Sequence, residues 1–229
     1  MAAGAGRFTL GRMKELLGIE TAIPGLYASS PEPLPFAPSL DIRAFLLQRD
    51  QGNLLAYSVS NLEGDAPAIE DLGGIWRQYL NHRHEAAFIS DWVTAPLFVH
   101  ENERDYVTSH AAVTETFSNR HTLGDFQAIP TPGHTRGATA YLWDTGLHRL
   151  LFTGDTIYLD DGEWIAAVLG SSDRVAYLES LELIRELDFE VLVPWAASSG
   201  QPCYSVTNEA DARRRIGAII ERVWSGEDR

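Results

Sequence analysis

The chain has 229 residues, 45% of them hydrophobic and 22% charged, values of an ordinary globular domain that exclude a disordered, collagen-like or coiled-coil chain. Acidic residues outnumber basic ones by 32 to 18, and the formal charge of −14 repels phosphate backbones and argues against nucleic-acid binding. The single cysteine, Cys203, excludes an intramolecular disulfide framework and a cysteine-rich zinc site. No apolar run approaches the ~18 residues of a membrane span. No apolar segment follows the basic start, as a secretory signal would require. A cytoplasmic protein without membrane contact is therefore expected.

Residues 1–38 read as an irregular segment packed on one domain spanning 1–229. Within it, Pro24-Gly25 is a break, and residues 30–38, SPEPLPFAP, read as an extended loop because of their four prolines. Residues 42–49 and 53–59 read as strands joined by a turn at Asp50-Gln51-Gly52. A short helix over 65–72 stops at Gly73-Gly74. The next strand, 75–80, empties into Asn81-His82-Arg83-His84. Residues 86–93 read as helical, 97–100 as a strand and 101–111 as a helix. Four strands follow, over 113–117, 125–130, 138–143 and 149–153. Thr131-Pro132-Gly133-His134 separates two of them, and Asp144-Thr145-Gly146 supplies a turn. A helix over 173–187 is expected behind Ser172 as N-cap, with Val175, Leu178, Leu181, Ile184 and Leu187 on one face. A strand over 191–193 precedes a final helix over 208–224, with Ala212, Ile216, Ile220 and Val223 turned inward. Strands first, then helices and strands in alternation, imply an α/β fold with sheets covered by helices.

Three of the seven histidines, His82, His84 and His134, stand where loops leave strands. Asp155 does the same in Leu151-Phe152-Thr153-Gly154-Asp155-Thr156, at a sheet rim of the kind where α/β folds place ligands. Each piece alone is weak evidence. Together, three imidazoles and a carboxylate form an N/O set suited to zinc or non-haem iron. No G-x-S-x-G elbow, Walker loop or dinucleotide fingerprint is present. His100, His110, His121 and His148 read as surface or hydrogen-bonded histidines.

The order of these pieces resembles the metallo-β-lactamase superfamily. Thr131-Pro132-Gly133-His134-Thr135-Arg136-Gly137 is similar to its TPGHTxG motif. Leu151 to Thr156 is similar to its strand ending in Gly-Asp-Thr, and Asn81 to His84 to the first half of its HxHxDH motif. The resemblance implies a four-layer αββα sandwich of two mixed β-sheets flanked by helices. It also implies that His82, His84 and His134 are ligands of the first metal and that Asp155 is the family's bridging carboxylate. The second metal's own ligands are missing, because Ala86 and Ala87 replace the expected Asp and His, and Trp195 or Ala196 replaces the late His.

The expected cofactor is thus one divalent ion, zinc favoured over iron, in a His/His/His/Asp site. Zinc-bound water, with its pKa lowered to about 7, would attack an ester, thioester, lactone or amide carbonyl of a small-molecule substrate, with Asp155 as the catalytic carboxylate. Two other readings stand beside this hydrolase. One is a persulfide dioxygenase with iron on His82, His134 and Asp155. The other is a non-catalytic binding protein on the same fold; a homodimer is compatible with all three. Glu85, Tyr158 and Trp195 are candidates for the substrate pocket. Glu85 reads as a solvated acid at a helix start or as a substitute base, Tyr158 and Trp164 as pocket wall, and Trp195 as filling the space of the second metal.

Overall fold

Alternate residues along Thr139–Asp144, Arg149–Gly154 and Val191–Pro194 enter two different cores. Tyr141, Leu150, Phe152, Val191 and Val193 belong to one cluster of buried side chains, and Ala140, Leu142, Leu151 and Leu192 to another. A strand with apolar residues at every position is one buried on both faces. The first core lies against a second sheet, with Leu26, Leu46, Leu55, Tyr57 and Tyr79 in it. The second core is closed by two helices through Tyr177, Leu181, Ile184, Ile216, Ile219 and Val223. The structure, a computed structural model, describes residues 14–17 and 22–228.

One sheet has seven strands in the order Lys14–Leu17, Ala22–Ala28, Phe45–Leu47, Leu54–Ala56, Arg77–Tyr79, Leu97–His100 and Glu115–Phe117. The facing layer is a six-stranded sheet, His121–Leu123, Phe126–Pro130, Thr139–Asp144, Arg149–Gly154, Val191–Pro194 and Ser205–Val206. It is continued by a five-stranded one, Glu163–Ile165, Tyr158–Asp160, Ala196–Ser198, Ala37–Ile42 and Glu32–Leu34. Two chain segments run through both parts. Arg149–Gly154 pairs in parallel with Val191–Pro194, and beyond a break Tyr158–Asp160 pairs in parallel with Ala196–Ser198. The break falls at Asp155 and Trp195.

Among the described residues four α-helices complete the fold: α1 (Ala66–Asp71), α2 (Arg104–Thr108), α3 (Arg174–Arg185) and α4 (Glu209–Ser225). The result is two mixed sheets, face to face, with helices outside, the sandwich expected from the sequence.

Several expectations are corrected. Residues 30–38 are not a loop: Glu32–Leu34 and Ala37–Ile42 pair antiparallel around a turn at Pro35-Phe36. Pro33 is tolerated because Glu32–Leu34 is an edge strand, Pro31 precedes that strand, Pro35 sits in the turn, and Pro38 lies near the start of Ala37–Ile42, before its pairing with Ala196–Ser198 begins. The segment 1–38 is likewise not irregular where it is described, since Ala22–Ala28 pairs with Phe45–Leu47 inside the large sheet; residues 1–13 and 18–21 lie outside the described ones. The helix expected over 86–93 is a 3₁₀ segment, Arg83–Phe88. The cap of α3 is Asp173, whose carboxylate accepts from the N–H groups of Val175 and Ala176. Val175 faces outward at 69% exposure, and Tyr177 takes the inner face.

Candidate metal centre

His82 and His84 follow the strand Arg77–Tyr79, which the large sheet holds between Leu54–Ala56 and Leu97–His100. The chain crosses to the other layer at Asn81. Its carbonyl accepts from the N–H of Thr139, 2.9 Å away, and its side-chain amide donates back to the Thr139 carbonyl. Fixing Asn81 fixes the start of the 3₁₀ segment that carries both histidines. Glu85 closes that segment from inside. Its Oε1 accepts from the backbone N–H groups of Asn81 and His82 at 2.9 and 3.2 Å, and lies 3.1 Å from His82 Nδ1.

His134 sits on the loop between Phe126–Pro130 and Thr139–Asp144. The N-terminus of α3 grips this loop: the Asp173 N–H donates to Gly133 O, Ser172 Oγ to His134 O and Ser180 Oγ to Pro132 O. The far side is held by buried Glu103, whose carboxylate accepts from the Gly137 N–H at 2.5 Å. His134 Nδ1 donates to Ala167 O at 2.6 Å, so its Nε2 is left as the free donor.

Asp155 begins the break after Arg149–Gly154. Gly154 has φ +55, a left-handed conformation that glycine adopts without strain, and its N–H donates to the buried Tyr57 hydroxyl at 2.8 Å. That hydroxyl donates in turn to Val193 O at 2.7 Å and bridges the two parallel strands at the break. Tyr177, from α3, braces the other side. Its hydroxyl bonds Thr156 O at 2.7 Å and accepts from the Ala167 N–H at 3.1 Å, so one side chain ties the Asp155 turn to the carbonyl group that orients His134.

These elements bring His82, His84, His134 and Asp155 together, with one ligand atom of each lying within 4.8 Å of every other. Nε2 of His82 and of His134 lie 3.3 and 3.7 Å from Asp155 Oδ2. His84 Nδ1 is 3.1 Å from His134 Nε2. Burial and the charge on His82 and His134 push His84 down to about 3, and burial and His82 push His134 down to about 4. Burial also opposes protonation of His82, but the Asp155 and Glu85 carboxylates outweigh it and raise that imidazole to about 10. Burial opposes ionisation of Asp155, yet the three histidines hold its carboxyl below the usual range.

The cluster opens into a cavity of about 790 Å³. Tyr158 and Trp195 line it. Glu85 does not: it is fully buried beneath His82, so it is neither a solvated acid nor a substitute base facing substrate. Trp164 is also absent from the wall. Residues 156–164 form a hairpin rather than a loop, and this turns the indole into the helix-side core, stacked on Phe189. Trp195 packs its ring against His82 and Phe88, with centroids 5.5 and 5.4 Å away, and donates Nε1–H to Ser58 O. Ala86, where the resemblance calls for a metal-binding aspartate, points away into a small apolar cluster with Leu80, Leu97, Val99 and Val107.

The family model described as the metallo-β-lactamase superfamily matches residues 65–196. The chain belongs to the metallo-β-lactamase superfamily. Solved structures agree on the fold. A B3 metallo-β-lactamase with an active-site glutamic acid superposes with a TM-score of 0.63 at 12% identity, over 96% of this chain and 91% of that one. BJP-1, a subclass B3 enzyme of Bradyrhizobium japonicum, gives 0.63 at 14%, over 94% and 93%. ETHE1 from Myxococcus xanthus gives 0.57 at 18%, over 80% and 85%. No curated protein matches the chain significantly. Among the described residues, no helix is long and apolar enough to cross a membrane.

Within this metallo-β-lactamase fold the four cluster residues are placed so that they could hold a metal ion. His82 Nε2 is buried without a hydrogen-bond partner and aimed at the Asp155 carboxylate. The remaining nitrogens of His82 and His134 are engaged by an acid and a carbonyl, the outer partners that orient metal-bound imidazoles. Sequence reasoning missed Tyr177, Tyr57 and Glu103. All three act through backbone groups, and only the helix period of α3 offered a signal for one of them.

Proposed function

We propose that the chain is a mononuclear metal-dependent hydrolase acting on the carbonyl of a small ester, thioester or lactone. The observation that carries this reading is the convergence of three imidazoles and one carboxylate at the wall of a largely apolar cavity. A divalent ion bound there would supply Lewis acidity, polarising a carbonyl and lowering the pKa of water to about 7. His82 and His134 would present Nε2 and His84 Nδ1; His84 and His134 are already neutral, and His82 would give up the proton that the Asp155 and Glu85 carboxylates hold on it. Asp155, ionised and partly exposed, supplies the negative charge and is the carboxylate placed to accept a proton beside the reacting carbonyl. Zinc suits this N₃O donor set. Ala87, Trp195 and Ala196 stand where a second ion's ligands would be needed, so one ion per chain is the proposed stoichiometry.

A second reading has support from one feature. His82, His134 and Asp155 alone present two imidazoles and a carboxylate, the facial set of non-haem iron oxygenases. Elemental analysis of protein purified without chelator or nickel resin separates the two. About one zinc per chain, lost in His134→Ala together with ester or lactone hydrolysis, is the expected result. About one iron per chain with oxygen uptake would replace the hydrolase by the oxygenase. No metal bound, and none taken up, would overturn both and leave a binding protein on this fold.

A further inference from the structure

The cavity wall is mostly apolar, and its titratable groups gather at one end apart from Asp228 and the tyrosines Tyr106 and Tyr158. His84, His134 and Asp155 form that end. Ala87, Phe88, Trp195 and Ala196 continue the wall. Opposite them, the hairpin of Glu32–Leu34 and Ala37–Ile42 contributes Leu34, Phe36, Ala37 and Leu40. The segment Ala166 to Leu169 and Tyr158 close the remaining side. Among the described residues that line it there is no lysine or arginine, and no asparagine, glutamine, serine or threonine. Away from the cluster the charged lining group is Asp228, whose carboxylate is paired with the Arg174 guanidinium. Arg83, next in sequence to His84, is not itself in the wall but carries its guanidinium over the ring of the wall residue Tyr106, at 5.9 Å.

A substrate with a carboxylate, phosphate or sulfonate away from its reacting carbonyl would find no lysine or arginine among the described wall residues to meet it, because the nearby guanidinium groups of Arg83 and Arg174 are held by the Tyr106 ring and by the Asp228 carboxylate. It would lose the water around that anion without compensation, against a chain of net charge −14. An apolar chain would instead bury its surface against leucines, alanines and aromatic rings, a gain of roughly 25 cal/mol per Å². We infer that the substrate is an uncharged ester or lactone with an apolar acyl chain of medium length, its carbonyl at the histidine cluster and its chain running past Trp195 and Phe88 to the hairpin tip at Phe36. This inference rests on the hydrolase reading for the carbonyl and on the cavity wall alone for the chain.

The test uses zinc-loaded full-length protein with p-nitrophenyl acetate, p-nitrophenyl octanoate and S-octanoylglutathione as probes. Octanoate should exceed acetate in kcat/KM by about tenfold or more, and the charged thioester should fall at least tenfold below the octanoate. Phe36 is 79% exposed at a hairpin tip, so replacing it does not threaten the core. In Phe36→Ser the octanoate-to-acetate ratio should drop severalfold, and in Ala87→Phe, which narrows the chain's path, it should drop further. Binding without turnover is read by calorimetry with octanamide and acetamide. Octanamide should bind at least tenfold more tightly, and Phe36→Ser should weaken it. Hydrolysis that ignores chain length, or prefers the glutathione thioester, overturns the inference and leaves the hydrolase standing. Absence of any hydrolysis overturns the hydrolase reading, while octanamide binding still decides the nature of the cavity. Equal binding of octanamide and acetamide overturns the inference whatever the activity.

Discussion

Glu85 Oε1 lies 3.1 Å from Nδ1 of His82, with both side chains fully buried. The same oxygen accepts two backbone N–H groups, so the carboxylate at once caps the 3₁₀ segment and fixes the ring that presents Nε2 to the cluster. Outer partners of this kind raise ligand basicity, and losing one costs metal affinity by roughly 10–100-fold. Glu85→Gln keeps an oxygen for the backbone groups but removes the negative charge behind His82. It should weaken zinc binding about tenfold, measured by chelator competition, with little change in melting temperature. Glu85→Ala leaves the buried donors without an acceptor and should also lose about 2–3 kcal/mol of stability. Equal metal affinity in wild type and Glu85→Gln would show that Glu85 is a cap and nothing more.

Ala86 tests whether the second metal site was lost only by substitution. Its methyl group is buried against Leu80, Leu97, Val99 and Val107 rather than turned to the cavity. An aspartate there places a carboxylate in an apolar cluster without a partner. Ala86→Asp should lose about 3 kcal/mol or more in denaturant unfolding and should still hold one metal per chain. A stable Ala86→Asp protein with two metals per chain would show that this backbone can turn the residue toward the site.

The sequence made His82, His84, His134 and Asp155 legible because metal ligands must be named residue types at strand ends, and strand ends are marked by Gly and Asn. The residues alone made an α/β fold with covered sheets legible, and the sandwich itself came from the resemblance carried by Thr131 to Gly137 and Leu151 to Thr156. The hairpin around Pro35-Phe36 was not legible, because four prolines argue against a strand unless the strand is known to be an edge, and edges are set by tertiary order. Glu85 misled because an acid at a helix start is usually solvated; only the packing of the neighbouring layer decides that it is buried. Tyr57 and Tyr177 were silent because each acts through carbonyl and N–H groups far away in sequence.

The pH dependence of the metal-free protein follows from opposed shifts in the cluster. His84 and His134, held down to about 3 and about 4, take up protons in the unfolded chain before they do so in the folded one. Their contribution is present above the ordinary histidine value near 6.5 and is lost as pH falls toward 4 and 3. His82, raised to about 10, works in the other sense: its contribution is present below about 6.5 and is lost as pH rises toward 10. Metal-free protein should therefore be most stable near pH 6–7 and lose melting temperature on both sides. In His82→Gln the loss on the alkaline side should shrink. An alkaline limb of unchanged slope in that variant would assign the loss to other groups.

Gly154 joins the Asp155 turn to the His82 side of the site. A Cβ at this position would stand 2.0 Å from Asn81 Oδ1, and the backbone has φ +55. Asn81 cannot yield freely, because its amide donates to Thr139 O and its Oδ1 lies 3.1 Å from His82 Nδ1. Gly154→Ala should then act on both counts, with strain of about 1–2 kcal/mol from the left-handed backbone and displacement of Asn81 carrying His82 with it. A glycine with nothing near its Cβ supplies the comparison. Gly146 has φ +80 and open space, so Gly146→Ala should show the backbone strain alone. Chelator competition on both variants should find zinc affinity unchanged in Gly146→Ala and reduced at least tenfold in Gly154→Ala. Equal affinities would mean that Asn81 can move without disturbing the imidazole, and that the two layers meet at the site more loosely than their hydrogen bonds suggest.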